Sequence, residues 1–559
     1  MDDPRIEWRT FVVTLAATLM CVAAFWIAIP PIFLTNDDVS IRLGIEGLTV
    51  PGGTPTGFVL MAHSLLAWAL VGARRMLPVH IWDLVLGALL IWSAAVVLTL
   101  AWTWGGAVRI ARVAALLAAL VVLVPLVGGV QFTISSTLAG GAAMALAATE
   151  ILAVRPRPAF LIMAASLLLM GLLVRPMGAT AGAILTGLLL APLALRDTSA
   201  RRSRVVRLGG LIAGVAGTAA LLVYLDGALY TTDAPWAAYQ QNMWVMARLF
   251  EWGGDLPAGA IDRMRERAGW SPNDWEALKT FWGVDPDVHS LARIEDAYAS
   301  WADVVAWQMR AQWLIRRATA HLTGATFLRL LAESAVPIAA GVALAITQAR
   351  RAGLVATSAL LALFVVSCLA IESGFKELPF RLFAPLQACF VLAIIIVIGT
   401  WRRPTRTAAY VPAAILLLSL VAYEARLVAR QATADNEQSA AVERQIADLL
   451  QLQPSLLVLH ADSFPFEHWW RPFRTPPVKL HSIQLGTTNH NPYLQAFLSI
   501  SYSQGLLRAI CTDPSILVVA ERDRLDSVAT FVREHYGMNV TWTEAYAGSF
   551  RAWRCTPQR

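Results

Sequence analysis

Long apolar runs, separated by short polar segments, dominate positions 1–425 of the chain. The first run, Phe11 to Leu34, is longer than the apolar core of a signal peptide, and no A-x-A cleavage site follows it. It therefore predicts a retained membrane helix. Further runs suited to crossing a bilayer cover 58–76, 80–103, 108–127, 132–154, 159–174, 177–195, 208–225, 325–347, 354–371, 381–400 and 408–425, which makes twelve in all.

Arginine clusters in short loops set the expected orientation, because cytoplasmic loops are enriched in basic residues. The clusters are Arg74-Arg75, Arg155 with Arg157, Arg196 to Arg207, Arg350-Arg351 and Arg402-Arg403. They place the N-terminus in the cytoplasm, and loop 226–320 and the tail outside. Arg74-Arg75 and Arg109 all favour the cytoplasm although only one run separates them. We therefore expect eleven or thirteen spans, with one run around 58–127 miscounted.

Loop 226–320 is rich in tryptophan, with nine of the 21 in the chain. Tryptophan rings sit well at the boundary between membrane and water, so the loop predicts amphipathic helices on the outer membrane surface. A small folded cap packed on the helix bundle is the alternative, and the two are compatible.

The tail changes character, since strand-like and helix-like segments alternate there. Asp435 to Leu450 predicts a helix capped by Asp435 or Asn436. Strands are expected over 455–460, 478–485 and 516–520, a helix over 524–536, and one or two strands over 540–555. Residues 426–559 thus predict a soluble α/β domain on the extracytoplasmic side, after a transmembrane domain over 1–425. Cys511 and Cys555 lie in this tail and can pair outside the cytoplasm.

Composition supports a polytopic α-helical membrane protein. Hydrophobic residues make up 57% of the chain and charged residues 15%, which excludes both a soluble globular protein and a disordered one. The net charge of +7 comes from arginine, which outnumbers lysine 42 to three. These arginines crowd the short loops, so we expect no nucleic-acid partner. Arginine and alanine usage suggests a bacterial genome, which makes the inner membrane the expected location.

Asp37 and Asp38, directly after the first span, are the strongest candidates for chemistry. Burial or a like-charge neighbour raises the pKa of one carboxyl and leaves the other ionised, which suits a general base or a metal ligand. The alternative is a solvated loop start or a cap for a helix over 39–46. A sharp turn over Pro51–Pro55 then brings the chain back to the membrane, which holds the pair between two spans.

The stretch Asn36–Arg42, followed by Gly47 and Pro55, resembles the first outer loop of the GT-C superfamily of membrane glycosyltransferases. That superfamily includes protein O-mannosyltransferases, aminoarabinose transferases of lipid A and mycobacterial arabinosyltransferases. The long outer loop, the outer C-terminal domain and a basic late outer loop over Glu372–Arg381 fit the same architecture. The pair is Asp-Asp here, whereas the mannosyltransferases have Asp-Glu, so the sugar and the acceptor stay open.

The resemblance implies inverting transfer of a sugar from a polyprenyl-phosphate donor to a lipid, glycan or protein hydroxyl, on the extracytoplasmic face. A first-loop aspartate would act on the acceptor, with Asp37 slightly favoured as the base. Lys376, Arg381 and Arg175 are the candidate ligands of the donor phosphate; snorkelling, ion pairing or support of a broken helix are their alternatives. No cofactor is certain, and a divalent cation at the aspartates is a further option.

Four other residues are weaker candidates for substrate binding. Arg42 can pair with an aspartate or a phosphate, and His63 is more typical of a hydrogen-bonded core histidine. Asn489 and His490 lie in a polar turn that can touch an acceptor sugar or serve only as a loop.

Two other classes of function remain open. A transporter or flippase of lipid-linked saccharides would show matching halves with ionisable residues near mid-membrane, which we do not find. A polysaccharide polymerase or ligase would depend on arginines and a histidine in the large outer loop, where His289 is the histidine available. Asp37 and Asp38 discriminate these classes, since they should be essential in a GT-C-like glycosyltransferase and dispensable in the other two.

Overall fold

A computed structural model describes residues 6–558 apart from 78, 107, 154, 196–199, 253–257, 305–334, 336–338, 340–350, 375–379, 401–409 and 487. The helices of the first half are α1 Trp8–Ala28, α2 Asn36–Glu46, α3 Ser64–Met76, α4 Ile81–Trp104, α5 Arg109–Leu123, α6 Phe132–Ile151, α7 Pro158–Val174, α8 Pro176–Leu189, α9 Ala191–Leu195 and α10 Arg201–Tyr230. A short parallel pair, β1 Ile32–Phe33 and β2 Gly129–Val130, joins the ends of α1 and α5.

The second half begins with the outer loop helices α11 Ala234–Met246, α12 Ala258–Ala268, α13 Pro272–Lys279 and α14 Leu291–Val304. Long helices follow, namely α15 Arg351–Gly374, α16 Phe380–Thr400 and α17 Tyr410–Leu450. The tail contains β3 Leu456–His460, α18 Phe466–Trp469, β4 Ser482–Leu485, α19 Pro492–Ser501, α20 Leu506–Thr512, β5 Ile516–Val519, α21 Arg522–Tyr536, β6 Val540–Ala547 and β7 Arg551–Pro557.

Eight helices in the described part of the chain are long and apolar enough to cross a membrane, which confirms a polytopic helical architecture. Two shorter apolar helices, Pro158–Val174 and Thr357–Cys368, match further predicted runs. Apart from the two isolated residues 335 and 339, the predicted run 325–347 lies outside the described residues.

The run 58–76 was expected to span the membrane, and this expectation is wrong. Its helix α3 has only 13 residues, or about 20 Å, against a hydrocarbon core of about 30 Å. Residues 51–63 form turns and irregular backbone instead, with Met61 in the left-handed region (φ 71°), so the helix begins only at Ser64. This is the miscounted run in the first half.

The centre of the bundle is built on close helix contacts. Helices α6 and α16 are fully surrounded by protein, whereas α1 is mostly exposed. A Cβ on Gly140 would lie 2.0 Å from the Ala179 carbonyl oxygen, and one on Gly182 would lie 2.1 Å from that of Thr137. Small residues thus let α6 and α8 approach backbone to backbone, as in other membrane bundles.

The tail forms the expected α/β unit, a five-stranded sheet of order β4-β3-β5-β7-β6. Strands β4, β3 and β5 are parallel, while β7 runs antiparallel to β5 and β6. A disulfide joins Cys511 in α20 to Cys555 in β7. The predicted helix start at Asp435 or Asn436 is wrong. Both residues lie inside the continuous helix α17, because no glycine or proline interrupts positions 413–450.

The outer loop packs on this sheet unit. Trp270, Trp275 and Trp282 are buried in one hydrophobic cluster with Val458 of β3 and Phe531 of α21. In its described part, residues 226–252 and 258–304, the loop is therefore a folded cap that packs on the C-terminal sheet unit. These three tryptophans serve as core residues, not as anchors at a membrane surface.

Candidate functional site

The two candidate aspartates lie in the first turn of α2. Thr35 is extended (φ −150°, ψ 151°) and precedes the helix, so Asp37 and Asp38 occupy positions where free backbone N–H groups favour carboxylates. The helix ends at Gly47 in a left-handed conformation (φ 71°), where a Cβ would lie 2.6 Å from the Pro55 nitrogen. The returning chain is thereby held against α2, as the turn residues predict.

Asp38 is completely buried at the end of the bundle. Its Oδ2 accepts a hydrogen bond from Thr35 Oγ1 at 2.8 Å, and its Oδ1 accepts one from the Phe132 amide at 3.0 Å. Burial raises the pKa of the Asp38 carboxyl well above its usual range, and the two hydrogen bonds offset this only in part. Asp38 thus links α2 to the first turn of α6, and both of its oxygens are in use.

Asp37 faces a different environment. Its Oδ2 lies 3.2 Å from Arg381 Nη1, in the first turn of α16, and the Asp37 side chain keeps 21% of its surface exposed. The structure therefore brings the predicted base and a predicted phosphate ligand into direct contact. Lys376, the other predicted ligand of that loop, lies outside the described residues.

A small cavity lies next to Asp37. Its volume of about 30 Å³ corresponds to roughly one water molecule. Polar side chains from three parts of the chain line it, namely Ser40 of the first loop, Tyr239 of the outer loop, and Thr488 and Asn491 of the tail. The first loop, the cap and the C-terminal unit thus meet at Asp37, around a cavity too small for anything much larger than water.

Arg175 lies at the break between α7 and α8. Its Nη1 donates to the Met61 carbonyl oxygen at 3.3 Å, and its guanidinium stands 5.0 Å from the centre of the Phe132 ring. Asp38 accepts from the amide of the same Phe132, so Arg175 lies near the aspartates. This position is compatible with both of its predicted roles, phosphate binding and support of the broken helix.

Arg42 is buried in a polar network. Its guanidinium lies 3.1 Å from Glu46 Oε1 and 3.3 Å from Asp83 Oδ2, and it donates to the carbonyl oxygens of Arg471 and Arg474. These contacts tie α2 to the start of α4 and to the C-terminal unit. They favour the structural alternative for Arg42 over a substrate contact.

His63 also makes structural contacts. Its Nδ1 accepts from the Leu65 amide at 3.1 Å, which caps α3, and its Nε2 lies 2.9 Å from the Leu222 carbonyl oxygen. The structure therefore favours the core-histidine alternative.

Asn489 and His490 hold the tail against the outer loop. Asn489 Nδ2 donates to the Phe281 carbonyl oxygen at 2.6 Å, and its Oδ1 accepts from the Gly486 amide. Burial lowers the pKa of His490 to about 4, so the imidazole is neutral at physiological pH. Their position favours the loop alternative over acceptor binding, although Asn491 two residues later reaches the cavity at Asp37.

The aspartate pair does not fit a divalent cation well. Asp38 has both oxygens hydrogen-bonded, and Asp37 already faces a guanidinium. Within the described ranges, no group of three histidine, cysteine or carboxylate ligands includes either aspartate. These contacts disfavour a metal ion between the two aspartates.

Sequence reasoning missed Asp83 and His80 as partners of the first loop. His80 Nδ1 lies 2.7 Å from Glu46 Oε1, and Asp83 accepts a hydrogen bond from the Phe473 amide at 2.7 Å. A charged residue inside the apolar run 80–103 was the available signal for Asp83, because such residues are costly unless paired. Nothing in the sequence indicated that its hydrogen-bond partner would be the Phe473 amide, 390 positions later in the chain.

Comparisons with family models, with curated proteins and with solved structures find no match for this chain. Any inference about the class of protein therefore rests on the geometry of the site.

Proposed function

We propose that this chain is a membrane glycosyltransferase that moves a sugar from a polyprenyl-phosphate donor to an acceptor hydroxyl. The contact between Asp37 and Arg381 carries the proposal. One is the predicted base and the other a predicted phosphate ligand, and each remains partly exposed. A donor phosphate bound at Arg381 would bring the sugar's anomeric carbon next to the Asp37 carboxylate.

The reaction would be a single displacement. Asp37 accepts the proton of the acceptor hydroxyl as its oxygen attacks the anomeric carbon. The bond from that carbon to the phosphate oxygen breaks, and the polyprenyl phosphate leaves as an anion. Arg381 pairs with the growing negative charge on the phosphate. Attack opposite to the leaving group inverts the anomeric configuration.

An apolar groove between α1, α4, α5 and α17 supports a lipid-linked donor. Its volume is about 720 Å³, and its lining runs from Arg9 to Phe25 along α1. One end lies at Val127, just before β2, which pairs with β1 and so adjoins the loop of Asp37. A polyprenyl chain of matching apolar character would have its phosphate near the aspartates.

We place the Asp37 end of the bundle outside the cytoplasm of a bacterial inner membrane. The start of α3 contacts the end of α10, and His80 before α4 contacts the tail at Thr475. The chain thus returns to the same end without a crossing. Arg74-Arg75 then stays outside as the exception to the arginine rule, while Arg109, Arg155 with Arg157, Arg201 to Arg207 and Arg351 all fall inside.

A donor panel tests the function. Purified protein in detergent would receive labelled polyprenyl-phosphate sugars, with membrane extract as the source of lipid, glycan and protein acceptors. We expect transfer from at least one donor with inversion at the anomeric carbon, and loss of transfer when a short-chain phosphate replaces the polyprenyl group. Retention of configuration would contradict a single displacement. Transfer that is indifferent to both Asp37→Asn and Asp38→Asn would support the polymerase alternative, and movement of intact lipid-linked saccharide across vesicles without transfer would support the flippase alternative.

A further inference from the structure

Three side chains from two distant parts of the chain meet between the outer loop and the C-terminal unit. Asp274 lies in the first turn of α13, and Glu534 and His535 lie in the last turn of α21. One carboxylate oxygen of each acid and one ring nitrogen of His535 lie within 4.8 Å of one another. His535 Nε2 is 2.7 Å from Asp274 Oδ1, across 261 positions of sequence.

We propose that this cluster binds a divalent transition-metal ion, with Zn²⁺ as the best fit. One imidazole nitrogen and two carboxylate oxygens form a ligand set that Zn²⁺ accepts, at bond lengths of about 2.0–2.2 Å. Ligand atoms in a tetrahedral zinc site lie about 3.3 Å apart, so the 2.7 Å contact between His535 and Asp274 has to open slightly, and the Glu534 carboxylate has to come within that distance of both. Glu534 and His535 are on the surface and can make that movement, and water can take the fourth position.

The neighbouring contacts hold the ligands in place. Asp274 is buried, and its Oδ2 accepts from the Ser271 amide at 2.9 Å in a capping box that fixes the carboxylate. Ser271 Oγ lies 2.9 Å from Glu534 Oε2. Hydrogen bonds of this kind orient the first ligands in known metal sites. The ion would join α13 to α21 and so fasten the outer loop to the C-terminal unit, independently of any transfer activity.

Metal retention by the tag-free full chain tests the site. The protein would be stripped with a chelator, incubated with ZnCl₂ and desalted, and the zinc per chain measured together with the melting temperature. We expect one zinc per chain and a higher melting temperature with zinc. Glu534→Gln should weaken zinc binding at least tenfold while it leaves the His535–Asp274 contact in place, and His535→Gln should abolish it. His481→Gln, which removes an exposed histidine of the same unit, should change nothing.

Three results would overturn the proposal. The first is zinc retention by the wild type that is no higher than retention by His535→Gln. The second is equal zinc retention by all variants. The third is loss of zinc from His481→Gln. Tighter binding of Ca²⁺ than of Zn²⁺ would contradict the choice of a transition metal. A melting temperature of each variant without zinc separates loss of the ligand from loss of the fold.

Discussion

Asp37 Oδ2 and Arg381 Nη1 lie 3.2 Å apart, although 344 positions separate the two residues in the chain. The first turn of α2 and the first turn of α16 meet at one end of the helix bundle to make this contact. Both side chains keep part of their surface exposed. Each can therefore give up its contact with the other and contact a substrate group in its place. The aspartate next in sequence has no such freedom, because its oxygens are held by Thr35 and Phe132.

Replacing Arg381 tests its role at the donor phosphate. We expect Arg381→Met to lower kcat/KM by about 10²- to 10³-fold, since one charge-stabilising group is removed from the transition state. Arg381→Lys should lose less, because it keeps the charge and loses only the guanidinium fork. Arg267→Met is the matched control, since Arg267 pairs with Asp296 on the surface of the outer loop. Equal rates for Arg381→Met and wild type would show that Arg381 does not stabilise the donor phosphate.

Asp38→Asn should preserve the fold and change its response to pH. The folded-state pKa of Asp38 is raised above its ordinary value of 3.8, so the folded chain retains a proton that the unfolded chain loses. That contribution to the free energy of unfolding is present below pH 3.8 and is lost as pH rises through the folded-state pKa. Asparagine keeps an acceptor for the Phe132 amide and cannot ionise. Thermal melts between pH 4 and 8 should therefore show a smaller decline for the variant, and an identical decline would contradict the burial argument.

The network around Arg42 should be essential to stability. Arg42→Met leaves Glu46 and Asp83 buried without their common cation, which should cost about 3–5 kcal/mol in the free energy of unfolding. Arg474→Met is the control, because its pair with Glu443 is exposed and worth under about 1 kcal/mol. Melting of both variants in detergent gives the comparison. A similar small effect in the two would mean that the buried network is dispensable.

The tail turn at His490 should make the contact with the outer loop sensitive to acid. The unfolded chain takes up a proton at His490 near pH 6.5, whereas the folded chain resists protonation down to about pH 4. Stability should therefore fall on the order of 2 to 3 kcal/mol between these pH values. His490→Gln should flatten part of this decline. A residual slope is expected from His289 and His460, whose pKa values are also lowered by burial. An unchanged slope in the variant would refute the role of His490.

The sequence predicted much of the fold because hydrophobic period and arginine placement are local signals. The strands expected over 455–460 and 516–520 and most of the long apolar helices lie where these patterns predict them, whereas the strand expected over 478–485 forms only over Ser482–Leu485. The prediction for 58–76 was wrong because its apolar content resembles that of a span, whereas the backbone is irregular as far as His63 and the helix begins only at Ser64. The tryptophans of the outer loop fit two environments equally well, and only the position of the C-terminal sheet decides that Trp270 and Trp282 are buried.

The candidate site shows the same division. Asp37 and Arg381 were identifiable because each is charged beside an apolar run. The separate environments of Asp37 and Asp38 were not, because they depend on Phe132, which lies 94 positions away from Asp38. The contact of Arg42 with Asp83 and with the backbone at Arg471 likewise arises only when three distant segments fold together.

The central claim is that Asp37, and not Asp38, is the base of a sugar transfer. Initial rates with the best donor would be measured for wild type, Asp37→Asn and Asp38→Asn at matched folding. Asp37→Asn should lose about 10²- to 10⁴-fold in kcat with little change in donor affinity, while Asp38→Asn keeps most of the activity. Full activity in Asp37→Asn, or a selective loss in Asp38→Asn, would contradict the account.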